Sequence, residues 1–267
     1  MRLSAASLLP VNGTLAVLLV VLLLAAIAVV ALFHLSPDTR THRTREVLLA
    51  GVRAALQLAA VSAVITYVIR SGAATVAFVL LMLGVAVRTA GRRLTRNRTW
   101  WMALWPVTLS VLPVVIALLL TGLVPVKGIV LVPVSGILIG GAMTATVLAG
   151  RRALDELTLR HGEFEAGLAL GLMEREARME IARPAASDAL LPGLDQTRTV
   201  GLVTLPGAFV GMLLGGASPV AAGAVQLFVL VALMAVQAAA VACTVELIVR
   251  GLLHRPQQSG APPAPRN

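Results

Sequence analysis

The sequence predicts an all-α, polytopic membrane protein: a bundle of about seven transmembrane helices, amino terminus outside and carboxyl terminus cytoplasmic. Three observations carry this. Of 267 residues, 58% are hydrophobic and 13% charged, against roughly 45–50% and 25% in soluble domains, and a soluble globule so composed would expose apolar patches that monomers rarely carry. The apolar residues gather into runs matching the about 20 helical residues that cross a bilayer core. Of the 22 Lys and Arg residues, 18 fall in alternate connections, and Lys and Arg accumulate in cytoplasmic loops.

The spans follow in order. The first, 14–33, is uninterrupted from Thr14 to Phe33 and outruns the roughly 7–15 residues of a signal-peptide core, so it reads as an uncleaved anchor. The second, 47–69, contains Arg53 and Gln57. The third, 72–87, is the shortest, and 100–122, 129–149, 199–217 and 220–249 complete the set. The basic side then comprises 34–46, 88–99, 150–198 and 250–267, while the other side holds only Arg2, Arg70 and Lys127. Residues 1–249 form one transmembrane domain. The tail, 250–267, is expected to be disordered, because from Pro256 onward it is rich in Pro, Gln, Ser and Gly and has nothing to bury.

Several function classes fall away. Aromatic residues make up 3% of the chain, too few for the stacking platforms of a nucleic-acid groove, so the +10 charge reports topology and no nucleic-acid partner is expected. The single cysteine, Cys243, excludes an internal disulfide. A phosphate-binding loop needs Gly-Lys-Ser/Thr, whereas the only lysine, Lys127, precedes Gly128 and Ile129. His34, His42, His161 and His254 lie outside the spans without metal-ligand spacing, and the spans hold no carboxylate pair. An intramembrane enzyme is therefore not expected, and no cofactor is expected in the chain itself.

The segment 150–198 holds nine of the twelve acidic residues. Within it Leu154, Leu157, Phe164, Leu168 and Leu172, with His161 between, step by three or four along one helical face. Such a helix at a cytoplasmic edge lies in the interface or docks on a partner. In the spans, Arg53 and Gln57 are four apart and share a helix face; Arg53 either snorkels to the headgroups or serves a cavity or coupling. Gly136 and Gly140, continued by Thr144, form a small-residue ridge, as do Gly207, Gly211 and Gly215; such rows let helices approach closely or line a path. Pro206 is expected to bend the sixth span beside Gly207. Glu246, near the cytoplasmic end of the last span, admits the same two readings as Arg53. Met143, Met212, Met234 and Cys243 carry soft sulfur but show no ligand spacing, so the metal ligands are left unknown.

Within 150–198, Glu165-Ala166-Gly167, Gly171, Ile181 and Pro184 fall on the spacing of the coupling loop of many ABC-transporter permeases. With Arg53 to Leu58, Val132-Pro133-Val134-Ser135-Gly136 running to Gly140-Gly141-Ala142-Met143, Leu168 to Gly171, and Thr199 to Gly207, the chain resembles the FetB-type iron-export permease family from about 50 to 240. The run Arg198 to Gly207 is its most specific piece. The resemblance implies an exporter of iron or a related metal in a bacterial-type plasma (inner) membrane. It further implies a homodimer of permeases, with ATP used by a separate ABC ATPase subunit that docks around Glu165, Ala166, Gly167, Gly171 and Glu176. Arg53, Gln57, Gly136, Gly140, Pro206 and Gly207 are the candidates for path or gating. The chain departs from the family at Gly141, usually asparagine, and at Gly167, Leu172-Met173, Arg183 and Ser187. The competing readings are a secondary transporter or channel, which would need no ATPase, an ABC permease for a non-metal substrate, and a membrane scaffold. No acidic or histidine proton relay lies in the spans to support the first of these.

Overall fold

The computed structural model describes residues 12–34, 43–122 and 128–255; the expectations for Arg2, His42, Lys127 and the tail from Pro256 lie outside the described residues. Those residues form ten α-helices and two 3-10 turns. Six helical segments are long and apolar enough to cross a membrane: Gly13–Leu32, Arg43–Val68, Gly72–Leu94, Arg98–Leu120, Gly128–Leu159 and Pro219–Val249. The protein is thus all-α and multi-pass. Helices dominate because each satisfies its own backbone polar groups where no water can.

The chain divides into two compact units, Met1–Tyr67 and Val68–Asn267. The first contains α1 (Gly13–Leu32) and most of α2 (Arg43–Val68). Asn12 caps α1, its Oδ1 accepting from the Leu15 amide at 3.1 Å, and Arg43 pairs with Glu46 at 3.0 Å in the first turn of α2. The two helices approach where Gly51 lies under the Leu23 side chain. Nothing in α1 is buried, as suits a helix that faces lipid.

The second unit is built on three helices running the same way: α3 (Gly72–Leu94), α5 (Gly128–Leu159) and α10 (Pro219–Val249). Close approaches fix their direction. Gly128 meets Ile69 and Thr75, Gly136 meets Met82, and Gly150 meets Leu94, so α3 and α5 advance together. Gly141 meets Leu233, and Asp155 pairs with Arg255 just beyond α10, so α5 and α10 do likewise. Their contacts are lined by Ala86, Ala90, Ala142, Ala145, Ala149, Ala153 and Ala240, all buried, because small side chains let backbones approach closely where lipid is as apolar as leucine.

Parallel neighbours require the chain to come back between them. α4 (Leu104–Leu120), entered through a 3-10 turn at Arg98–Ala103, makes the first return in one piece. The second runs from the end of α5 to the start of α10 in fragments: α6 (His161–Ala169), α7 (Glu174–Ser187), a 3-10 turn at Asp188–Leu190, α8 (Leu191–Thr199) and α9 (Gly207–Leu214). Here the sequence expectation changes most. The run 199–217 is not one helix; its helical part, α9, has eight residues, about 12 Å of rise against about 30 Å of hydrocarbon. Two other spans are longer than expected: α3 continues to Leu94 and α5 to Leu159, so 150–159 belongs to a membrane-length helix. The single amphipathic helix from Leu154 to Leu172 is broken at Arg160, between α5 and α6.

One end of this unit is basic. Arg92 and Arg93 fill the last turn of α3, where cations oppose the negative end of the helix dipole. Trp100, Trp101 and Trp105 follow within twelve residues of Arg93, with Arg92 stacked 5.2 Å from the Trp100 ring centroid, an aromatic and basic rim of the kind found at a membrane interface. The chain beyond α10, placed in the tail by the sequence, closes this end: Leu253 is buried, and the His254 carbonyl accepts from Thr95 Oγ1 at 3.0 Å and Asn97 Nδ2 at 2.8 Å.

The turn from α3 into α4 depends on Gly91, where a Cβ would lie 2.0 Å from the backbone oxygen of Trp100. Gly91→Ala is expected to lower unfolding stability in detergent by about 1–3 kcal/mol through overpacking. Gly84→Ala, on the same helix with open space around it, is expected to raise it by up to about 1 kcal/mol through helix propensity. Thermal melts of the two variants check the pair.

Candidate functional site

The basic end carries a knuckle between α6 and α7. Helix α6 ends in a Schellman closure, with Gly171 donating to the Leu168 carbonyl at 3.0 Å and Leu172 to Gly167 at 3.1 Å. Gly171 sits at φ +93°, a left-handed conformation that costs a residue with a Cβ and suits glycine. Glu176 begins α7 by accepting from the Met173 amide at 3.2 Å. Gly167 is buried against Ala177, 3.2 Å from where its own Cβ would stand. The five candidate coupling residues therefore divide. Gly167 is buried inside the knuckle, whereas Glu165, Ala166, Gly171 and Glu176 lie on its surface, Glu165 beside His161 at 3.4 Å and Glu176 capping α7.

Two surface residues escaped the sequence reading. Leu170 is 86% exposed and Met173 67% exposed, so the knuckle presents apolar side chains on either side of its glycine. Their signal was the Leu-Gly-Leu-Met run itself, of which the three-or-four-residue stripe takes in Leu172 and leaves Leu170 and Met173 off. A joint precedes them: Arg160 Nε donates to Glu163 Oε1 at 2.7 Å, and this hydrogen bond holds the Glu163 carboxyl below its ordinary range.

The knuckle is fastened to α10. Arg175 makes a bidentate pair with Glu246, at 3.0 Å and 2.8 Å, and Arg250 reaches the same carboxylate at 2.5 Å. Arg178 donates to the Val249 carbonyl at 3.3 Å, pairs with Glu174 at 3.1 Å and lies 5.4 Å from the Phe164 ring centroid. Below these contacts Ile181 and Ala182 are buried in the main unit. A load on the knuckle thus reaches the final turn of α10 through a planar, two-point ion pair, the geometry in which arginine and carboxylate hold most firmly.

Further along the return, Gly193 of α8 lies against the Gln237 side chain of α10, which also approaches Gly141 of α5. The helix then stops. Thr199 to Pro206 form a tight turn in which the Thr199 carbonyl accepts from the amides of Leu202 (3.2 Å), Val203 (2.9 Å) and Thr204 (3.4 Å), and the Thr204 carbonyl from Gly201 (2.8 Å). Gly201, at φ +80°, makes this closure accessible. Pro206 does not bend a span; it is the residue before α9, and Gly207 opens that helix with free space around it.

The remaining candidates scatter. Arg53 and Gln57 lie on the exposed surface of α2, in the first unit. Gly136 packs on Met82, but Gly140 meets nothing, so the close α5 to α10 approach uses Gly141 instead. Ser135, Thr146 and Gln226 are buried with unpartnered side-chain oxygens among the described residues. No group of three or more His, Cys, Asp or Glu among the described residues could hold a metal ion.

Arg175→Ala and Glu246→Gln are each expected to lower stability only modestly, since the pair is solvent-accessible, and the double variant little more than either alone. Added salt should shrink all three effects. Denaturant titrations of the four proteins at low and high salt check this.

The model of the "Uncharacterised protein family (UPF0014)" matches residues 18–253. The chain is 35% identical over 214 residues to UPF0014 membrane protein STAR2 of Oryza sativa subsp. japonica, covering 79% of this chain and 75% of that one. It is 34% identical over 193 residues to Protein ALUMINUM SENSITIVE 3 of Arabidopsis thaliana, covering 71% and 70%. To the Probable iron export permease protein FetB of Escherichia coli (strain K12) it is 26% identical over 212 residues, covering 78% and 82%. No solved structure matches. A family match spanning nearly the whole multi-pass bundle, with relatives aligned over most of their length, settles the assignment: the chain belongs to the UPF0014 family.

Proposed function

We propose that this chain is the permease subunit of an ABC transporter that exports iron or a related metal, driven by a separate ATPase that docks on the α6–α7 knuckle. The observation that carries the reading is the knuckle: an exposed apolar tip closed at Gly171 and tied through Arg175 and Glu246 to a membrane-length helix. A docking element must be accessible at one end and stiffly joined to the moving part at the other, and this one is both. The likeness to a protein described as a probable iron export permease supports the substrate class, and the name of the Arabidopsis relative refers to aluminium sensitivity.

In this reading the basic end faces the cytoplasm of a bacterial-type inner membrane, as the bias of Lys and Arg implies, and the amino terminus lies outside. Two copies enclose the path. ATPase closure presses the knuckle, and the return shifts along α10, a two-state mechanism that requires the partner to contact the knuckle differently in each state.

Leu170→Glu with Met173→Glu is expected to abolish co-purification of the partner ATPase while the permease still folds, since both side chains are solvent-exposed. Glu165→Lys is expected to weaken the complex without removing it. Cells with the double variant should accumulate iron under iron load as cells without the permease do; wild-type co-purification and iron levels in that variant would refute the docking assignment.

A further inference from the structure

We infer that the interrupted stretch Val200–Pro206 lines an aqueous passage through the membrane, and that its free backbone carbonyls form a position for a hard cation that keeps part of its hydration water. This rests on the reading of the chain as a permease and names a place where its cargo touches the protein.

Depth comes first. Gln237, which faces Gly193 of α8, lies twelve residues before Val249 and eighteen after Pro219 on α10, about 18 Å and 27 Å of helix. From Gly193 the chain must still reach Ser218, which caps the start of α10 with its hydroxyl at 3.2 Å from the Ala221 amide. The interruption falls between those two levels, in a stretch, Thr199 to Val245, without one charged residue. It therefore sits at hydrocarbon depth, not in a loop beyond the bilayer.

Irregular backbone at that depth persists only where it is covered by protein or faces water inside the protein. Here the turn is uncovered: Leu202 is 90% exposed, Val203 76% and Leu205 63%. Its hydrogen bonding is also one-sided. The amides of Gly201, Leu202, Val203 and Thr204 are all consumed by the carbonyls of Thr199 and Thr204, while the carbonyls of Val200, Gly201, Leu202 and Val203 accept no backbone amide among the described residues. From Gly201 to Thr204 the donors are spent, and from Val200 to Val203 the acceptors are free, beside the carbonyl end of α8, so this part of the turn offers partial negative charge; the neighbouring Arg198 is paired with Asp195 at 3.5 Å, and the open amides at the start of α9 come only after Pro206. Unwound carbonyls and the carboxyl ends of half-helices hold cations in this way in secondary transporters.

The donor set states the class. Carbonyl and hydroxyl oxygens, without sulfur, imidazole or carboxylate, favour hard cations over Cu(I) or Zn. Lacking a compensating charge, the position binds weakly, which a conducting site requires so that the ion can leave.

The test uses the full chain, with Cys243→Ser, reconstituted in lipid nanodiscs and probed with a charged thiol reagent. Leu202→Cys and Val203→Cys are each expected to react, and Mn2+ at saturation to slow the reaction about tenfold, with Na+ at equal ionic strength inert. Leu80→Cys, 60% exposed on α3, is expected to stay unreactive as a lipid-facing control. Circular dichroism of each variant confirms its fold. Unreactive cysteines at both positions, as burial against lipid or a second copy would give, or reaction indifferent to every cation, would overturn the inference. Because no ATPase is present, the outcomes separate. Protection without metal export in cells supports this site and removes the exporter reading, whereas export without protection does the reverse.

Discussion

A backbone amide or carbonyl left unpaired in hydrocarbon costs several kcal/mol, and the rest of this structure depends on meeting that demand. Long helices meet it for α1 to α5 and α10. Once α3, α5 and α10 lie parallel, held by alanine contacts and by Gly128, Gly136, Gly141 and Gly150, two returns are compulsory. α4 supplies one as ordinary helix. The other breaks at Thr199, and there the amides of Gly201 to Thr204 are paired while the carbonyls of Val200 to Val203 accept no backbone amide among the described residues. A strongly apolar run, 199–217, can leave the helix at this point because Gly201 and Pro206 favour a turn that retires four amides. The unmet carbonyls are then a property of the fold that water, an ion or another surface must satisfy.

The charges do complementary work at one end. Eighteen of 22 basic residues were assigned to one side by sequence, and the structure gathers Arg92, Arg93, Arg151, Arg175, Arg178, Arg250 and Arg255 around the ends of α3, α5 and α10. They do more than orient the bundle. Arg175 and Arg178 lash the knuckle to the last turn of α10, and Arg255 joins Asp155 and the Leu94 carbonyl, so the ends of α3, α5 and α10 and the base of the knuckle are bound together. Displacement of the apolar tip at Leu170 and Met173 therefore has a mechanical route to the broken return, whose first half, α7 and α8, lies alongside α10.

Legibility followed the physics of each signal. The runs at 14–33 and 220–249 were placed within a residue or two because uninterrupted apolar sequence has one reading at that length. α3 was cut short at 87 because Arg88, Arg92 and Arg93 depress its hydropathy, although arginine near a helix end snorkels and suits the dipole. The 199–217 run was read as a span because hydropathy carries no record of backbone pairing; the turn-forming order Gly201 to Gly207 was visible, its consequence was not. At the knuckle, Gly171 stood out through the resemblance to a coupling loop, the capping by Glu176 had no reading from sequence, and Glu246 drew notice as a charge in a span. Its partner, Arg175, lies 71 residues away, a distance no local pattern encodes. Leu170 and Met173 were missed because they fall off the stripe of apolar residues spaced by three or four, so periodicity gave them no place.

The central claim is that the fragmented segment between α5 and α10 crosses from one side of the membrane to the other. Ser187→Cys, at the end of α7, and Ser218→Cys, before α10, placed in the Cys243→Ser chain in vesicles of known orientation, test it with an impermeant thiol reagent. The crossing requires opposite sides, Ser187 reacting from the side of the knuckle and Ser218 only from the other. Reaction of both from the same side would contradict the account.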